Sequence, residues 1–285
     1  MSNSIIKVNE FSYKYPDTDY LALKNISFEI NEGDFVGVLG ANKAGKSTLC
    51  KSLVGITPFV AGGNWDGEIV IDDKNLNDTN GLGATEVIGI AFQDAESQFT
   101  QATVEDEIAF AMSNFGYNRN TMRERVIFAS RECGIYDLLD RSPYDLSGGQ
   151  QQRLAVASIL ALQPRVIILD ETTSQLDPIG RDQIFTLVQG LNKSRNITVI
   201  MVDHNIEKIA EFANKTMVLS KGELVLFDKS ENVFRNIELL KNNDVRVPQV
   251  TEASINLFGN SSEAPITLEK AIPYFETKLK RRYND

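Results

Sequence analysis

Histidine, cysteine and tryptophan are scarce in these 285 residues, which hold one His, two Cys and one Trp. Cys50 and Cys133 have no metal-like spacing, and a reducing compartment suits them. Cys50 reads as a buried small apolar residue rather than a redox switch. No apolar run reaches the roughly 18 residues that cross a bilayer. The N-terminus carries no signal-peptide pattern either. The chain is therefore expected to stay in the cytoplasm, with any membrane role exercised through a partner. Positive charge is also short: 29 Lys and Arg against 39 Asp and Glu leave a net charge of −10, which argues against a nucleic-acid groove. What remains, 42% hydrophobic and 24% charged residues, is enough for one large or two small cores.

The organising stretch is Gly40-Ala41-Asn42-Lys43-Ala44-Gly45-Lys46-Ser47-Thr48, which fits the phosphate-loop pattern. Gly40 and Gly45 permit a turn that aims backbone N–H groups at phosphates. A helix expected from Lys46 adds its N-terminal partial charge to the same anion. Lys46 would reach the β- and γ-phosphates, and the Ser47 hydroxyl would ligate Mg²⁺. The apolar run Phe35–Leu39 supplies the strand that the motif requires. Lys43 is an extra cation that either adds to phosphate attraction or points to solvent, and the solvent reading is preferred.

Around the loop, Ile5–Tyr15, Asn25–Ile30 and Gly67–Asp72 carry β-type patterns, which predict a small antiparallel sheet beside the loop. Either Tyr13 or Tyr15 can offer a face for a purine, or both are ordinary strand tyrosines. Thr85–Phe92 reads as a buried strand running into Gln93, at a strand end where ligands sit in α/β sheets. From Val104 to about Tyr144 the period turns helical. Leu146-Ser147-Gly148-Gly149-Gln150 follows, with Ser147 capping a helix that runs to Leu162. That terminus is either a second anion site or a plain capped helix; a two-fold dimer with nucleotide in its interface would explain two anion sites in one chain.

Val166–Leu169 is a third buried strand, ending at Asp170-Glu171. The first carboxylate suits Mg²⁺, usually through water, and the second an attacking water. A turn through Asp177 leads into a helix from Gly180 to Leu191, and Ile197–Val202 is a strand ending at Asp203-His204. The lone histidine thus falls at a strand end on the expected phosphate side. A helix over Ser230–Leu240 closes the core. Residues 241–285 read as a polar extension with short apolar patches, and Lys278–Arg282 as a solvated tail, preferred over a contact with membrane or partner. The fold class is α/β, with a mostly parallel, helix-covered sheet.

Together these motifs resemble the nucleotide-binding subunit of ABC transporters over roughly Ile5 to Phe234. Walker A at Gly40–Thr48, the Q-loop Gln93, the signature Leu146–Gln150, Walker B ending at Asp170, then Glu171, the D-loop Asp177 and the H-loop His204 occur in the family's order. The resemblance implies a P-loop NTPase core of RecA type, an antiparallel β-subdomain and a helical subdomain at about 95–160. It places an ATPase unit over 1–240 and an extension over 241–285 that serves dimerisation or regulation. It further implies ATP and Mg²⁺ as cofactors, with Ser47, Asp170 and Gln93 about the metal and Tyr15 under the adenine. Glu171 would be the general base, and His204 and Lys46 would meet the γ-phosphate.

A narrower resemblance is to energy-coupling-factor ATPases. It rests on Phe92–Gln98, Thr103–Phe110, Ser174–Arg181 and Val245–Thr251. It implies a second ATPase subunit, identical or related, an integral membrane scaffold and a membrane substrate-binding protein. The subunit would sit on the cytoplasmic face and drive import of vitamins or of cobalt or nickel ions, with no nucleic acid involved. Three residues depart from the family pattern: Lys43, Thr172 in place of proline, and Asp203 before His204. The alternatives are the ATPase of another ABC transporter subgroup, a soluble ABC ATPase of translation or DNA repair, and a nucleotide-sensing regulator. Soluble members are disfavoured by the single cassette with no heptad run or cysteine cluster, and regulators by the presence of Asp170, Glu171 and His204.

Overall fold

The computed structural model describes residues 4–259 and 262–284, the last four without their side chains. Strands β1 (Ser4–Lys14) and β2 (Leu23–Asn31) pair antiparallel, and β3 (Phe35–Leu39) departs for a second sheet. Strand β4 (Asn64–Ile71) returns to β1, and β5 (Lys74–Asn75) borders it, completing a four-stranded sheet. The second sheet has β6 (Ile88–Ala91), β7 (Val166–Asp170), β8 (Thr198–Val202), β9 (Lys215–Ser220) and β10 (Glu223–Lys229) in the order β10-β9-β3-β8-β7-β6. All its pairings are parallel except β9 with β10.

Strand periodicity of two divides the core. Val36, Val38, Val166, Ile168, Ile200 and Val202 face the first sheet, where Ile6, Phe11, Tyr13 and Ile26 are buried with them. Phe35, Leu39, Ile167, Leu169, Val199 and Met201 face the opposite way, into a second apolar cluster. Being buried on both faces, β3, β7 and β8 read as continuous apolar runs, as parallel central strands do. At the foot of β3, the buried Asp34 carboxylate accepts from the Asn31 amide at 2.9 Å, Asn214 Nδ2 at 3.0 Å and Lys215 Nζ at 2.8 Å. That network fixes where the strand enters the sheet, and so where its far end delivers the loop.

Helix α1 (Lys46–Leu53) follows β3 and buries Leu49, Cys50 and Leu53 between the sheets. Burial pushes the Cys50 thiol well above its ordinary range and that of Cys133 up to about 12, so both are inert thiols. Helices α2 (Val104–Asn114), α3 (Arg119–Glu132) and α4 (Gly148–Leu160) form the helical part, started by Thr103, Asn118 and Ser147, whose side chains accept from backbone N–H groups. Glu107 is buried there because its carboxylate accepts from the Thr100 and Gln101 amides at 2.8 and 2.9 Å.

Helices α5 (Pro178–Arg195) and α6 (Ile206–Phe212) cover the sheet, packing Phe185, Val188 and Ile209 on it. The helix expected over Ser230–Leu240 is two, α7 (Ser230–Arg235) and α8 (Ile237–Asn242). Asn236 leaves helical geometry between them, and its side chain accepts from the Leu239 amide. The strand expected over Thr85–Phe92 shortens to β6 because residues before it form a tight turn, with Thr85 Oγ1 donating to the Leu82 carbonyl at 2.8 Å. Strand β10 was not expected: it lies at a sheet edge and is half-buried, without a clean apolar alternation.

In the extension, α9 (Gln249–Phe258) and α10 (Leu268–Asn284) pack against each other. Its short apolar patches are inserted in the core: Val245, Val247 and Ile266 are buried in the same cluster as Phe234 and Leu240. Arg235 Nε donates to the Ala264 carbonyl at 2.9 Å, and Thr251 Oγ1 to that of Pro265 at 2.8 Å. Lys278–Arg282 falls within α10, and the side chains of Arg281 and Arg282 lie outside the described residues.

Candidate functional site

The loop between β3 and α1 adopts the geometry its glycines permit, with Gly40 at φ +152 and Gly45 at φ +104. A side chain at Gly40 would stand 2.3 Å from the Leu219 carbonyl oxygen, so the loop lies directly on β9. Lys46 folds back, its Nζ donating to the carbonyls of Gly40 and Ala41 at 3.0 and 3.1 Å. The loop borders a cavity of about 700 Å³ lined also by Tyr15, Tyr20, Lys24, Glu171 and Lys221. Four lysines, 24, 43, 46 and 221, and one carboxylate, Glu171, are among its described lining residues. In a chain of net charge −10 that reversal of sign marks an anion site.

Glu171 sits just past β7 at φ +56, its amide donating to the Val202 carbonyl at 3.0 Å. Its Oε1 lies 3.7 Å from Lys46 Nζ and 3.2 Å from His204 Nε2, so the two strand ends and the loop meet at one carboxylate. Asp170, one residue earlier, is buried and accepts from Ser47 Oγ at 3.1 Å. Burial pushes its carboxyl above the ordinary range; the Ser47 hydroxyl opposes that rise and the Glu171 charge adds to it. Hydroxyl and carboxylate oxygens of this kind fit Mg²⁺. Among the described residues no group of three or more His, Cys, Asp and Glu could hold a metal.

The tyrosines separate. Tyr13 is fully buried, with its hydroxyl donating to the Gly62 carbonyl at 2.6 Å, and offers no face to a ligand. Tyr15 lines the cavity, edge-on to Tyr13 with ring centroids 4.8 Å apart, and its hydroxyl is 3.2 Å from Thr48 Oγ1. Gln93 stands exposed beyond β6, outside the cavity lining; its carbonyl accepts from Gln152 Nε2 at 3.3 Å.

The glycine-rich start of α4 faces elsewhere. Ser147 caps the helix and Gln150 closes the reciprocal box, with the Ser147 amide donating to Gln150 Oε1 at 2.9 Å. Ser147, Gly148, Gly149 and Gln150 border a different cavity, of about 530 Å³, together with Asp177. Leu146 is buried beneath. Asp177 caps α5, its Oδ1 accepting from the Gly180 amide at 2.7 Å. The phosphate loop and the start of α4 therefore border two separate cavities of one chain.

The ABC transporter family pattern matches residues 23–174. The chain belongs to that family. It is 37% identical over 255 residues to the energy-coupling factor transporter ATP-binding protein EcfA1 of Clostridioides difficile, covering 88% of this chain and 90% of that one. It is 35% identical over 268 residues to the EcfA1 of Listeria monocytogenes, covering 94% of each. Among solved structures, cbiO1 of Clostridium perfringens, part of the ABC transporter complex cbiONQ, superposes with a TM-score of 0.74 at 33% identity, covering 87% of this chain and 97% of that one. A dimeric ATP-binding cassette in a post-hydrolysis state bound to ADP and Pi superposes with a TM-score of 0.68 at 28% identity, covering 79% and 98%.

This ABC ATPase binds ATP, and no helix among its described residues is long and apolar enough to cross a membrane. Sequence reasoning missed several cavity residues, namely Tyr20, Leu21, Ala22, Lys24, Lys221 and Gly222. They arrive through backbone contacts: the Gly222 amide donates to the Ala44 carbonyl at 3.0 Å, and the Lys24 amide to the Gly222 carbonyl at 2.7 Å. Only the turn at Lys221-Gly222 left a signal in the sequence.

Proposed function

We propose that this ABC ATPase energises a membrane importer of the energy-coupling-factor type, with vitamins or cobalt or nickel ions as the solutes. The observation that carries the catalytic part is the meeting of Glu171 with Lys46 and His204 at the rim of a lysine-lined cavity. In this reading Gly40–Thr48 cradles the phosphates, Tyr15 stacks on adenine, and Glu171 accepts the proton of the attacking water. His204 and Lys46 stabilise charge on the γ-phosphate. Ser47 and Asp170, with Gln93 completing the set, would hold Mg²⁺, which neutralises phosphate charge when bound.

The outward-facing signature, Leu146–Gln150, and Asp177 serve the nucleotide of a second subunit in a head-to-tail dimer. Residues 1–240 form the ATPase unit and 241–285 an extension for dimerisation or regulation. The import reading draws on the relatives named as energy-coupling-factor ATP-binding proteins. It places the subunit on the cytoplasmic face of the membrane, against a scaffold protein and a substrate-binding protein.

Two experiments test this. Glu171→Gln is expected to bind ATP and dimerise while losing about 10³-fold in turnover, and unchanged turnover rejects the base assignment. Purification of the tagged protein from detergent-extracted host membranes is expected to recover a helical scaffold and a small substrate-binding membrane protein. Recovery of ribosomes or repair factors alone rejects the import reading.

A further inference from the structure

One of the residues that depart from the family pattern, Asp203, sits in a buried hydrogen-bonded setting with Thr173. Strands β7 and β8 lie side by side with Asp170 opposite Val202, so the segments leaving them run together. Thr173, fully buried, donates its hydroxyl to Asp203 Oδ2, and Asp203 is itself buried. The other carboxylate oxygen, Oδ1, accepts from the Asn205 amide at 2.7 Å. Asn205 in turn caps α6, accepting from the Lys208 amide at 3.1 Å. On the other side the Thr173 carbonyl accepts from the Leu176 amide at 3.1 Å, holding the turn that ends at Asp177.

His204 thus lies between Asp203 and Asn205, whose amide donates to the Asp203 carboxylate, with its own ring half-exposed and 3.2 Å from Glu171. A carboxylate at Asp203 is tolerable here because both oxygens have donors, so its charge is engaged within the protein. We propose that Asp203 is a positioning residue: with Thr173 and the Asn205 amide it forms a strap that fixes His204 against Glu171 and ties it to the 174–177 turn. Resting on the dimeric ATPase reading above, the strap carries displacement of that turn by a second subunit to His204. Asp203 acts through His204 and touches no reacting atom.

The test is steady-state ATP hydrolysis by the full-length protein, with affinity read separately by fluorescent-nucleotide titration. Thr173→Val, which keeps the shape and removes the donor, is expected to lower kcat about tenfold, as is Asp203→Asn, with affinity changed less than about twofold. Thr173→Ser, which retains the hydroxyl, is expected to restore kcat to within about twofold of the parent. In a His204→Ala background, where residual turnover is followed by radiolabelled phosphate release, adding Thr173→Val is expected to change the rate by less than about twofold. An unchanged kcat in folded Thr173→Val and Asp203→Asn overturns the strap. So does a multiplicative loss when Thr173→Val is combined with His204→Ala. Full turnover in His204→Ala overturns the reading of the site, and the strap with it.

Discussion

At the scale of single residues, neighbours in the fold assign different work to like side chains. Tyr13, on β1, and Tyr15, just past its end, are two positions apart, yet one hydroxyl is spent on the Gly62 carbonyl and the other ring borders the phosphate-loop cavity. Tyr15→Ala is expected to weaken ATP binding by about 1 kcal/mol, roughly fivefold in affinity. Tyr13→Phe is expected to leave affinity alone and lower stability by about 1 kcal/mol; titration calorimetry and denaturant melts separate the two. Asp170 has its carboxyl raised by burial, so the native state holds its proton to higher pH than the unfolded chain does. Stability in the absence of nucleotide should therefore fall as pH rises from the ordinary carboxylate value of 3.8 through the raised native one. Asp170→Asn is expected to flatten that fall and to raise the melting temperature at neutral pH, a gain of about 1 kcal/mol. A lower melting temperature in that variant would reject burial as the dominant cost.

At the scale of elements, the start of α4 has two roles that substitution can tell apart. Ser147 caps the helix in a reciprocal box, and Ser147→Ala is expected to cost about 1 kcal/mol of stability whichever role holds. Gly149 is different, because a methyl group there would meet nothing within 4 Å in its own chain. Gly149→Ala should be neutral or stabilising, by up to about 1 kcal/mol, in the isolated subunit. Loss of ATP-driven dimerisation and turnover in Gly149→Ala, measured by light scattering and phosphate release, would place another molecule at that surface. Retention of both would reduce the motif to a capped helix. The capping signal of α4 was legible in sequence because a cap is a contact between near neighbours. Strand β10 was not, since an edge strand is defined by the strand beside it.

At the scale of the whole molecule, residues beyond 240 share the core with those before it. Val245, Val247 and Ile266 are buried against the cluster that holds α6 and α7. Ile266→Ala is expected to cost about 3 kcal/mol, the usual loss for a buried aliphatic side chain in a packed core. A chemical-denaturation midpoint unchanged from the parent would mean that the extension is only loosely applied. The same region brings Asp244, Val245 and Arg246 to a cavity of about 480 Å³ shared with Gly40–Asn42 and His204. The extension therefore abuts the phosphate loop and His204.

The sequence by itself determined the phosphate loop, the strand before it, the strand-end acids and the order of the motifs. Each of these is a pattern of residues close in the chain, where steric rules and hydrogen bonding act over a few positions. Only the tertiary structure decided which tyrosine lines the cavity, that Lys221 and Gly222 border it, and that Asp203 holds Thr173. It alone showed that the apolar patches of the extension enter the core. Those outcomes depend on groups far apart in sequence meeting across a packed sheet, and burial and hydrogen-bond satisfaction become defined only once that meeting has occurred.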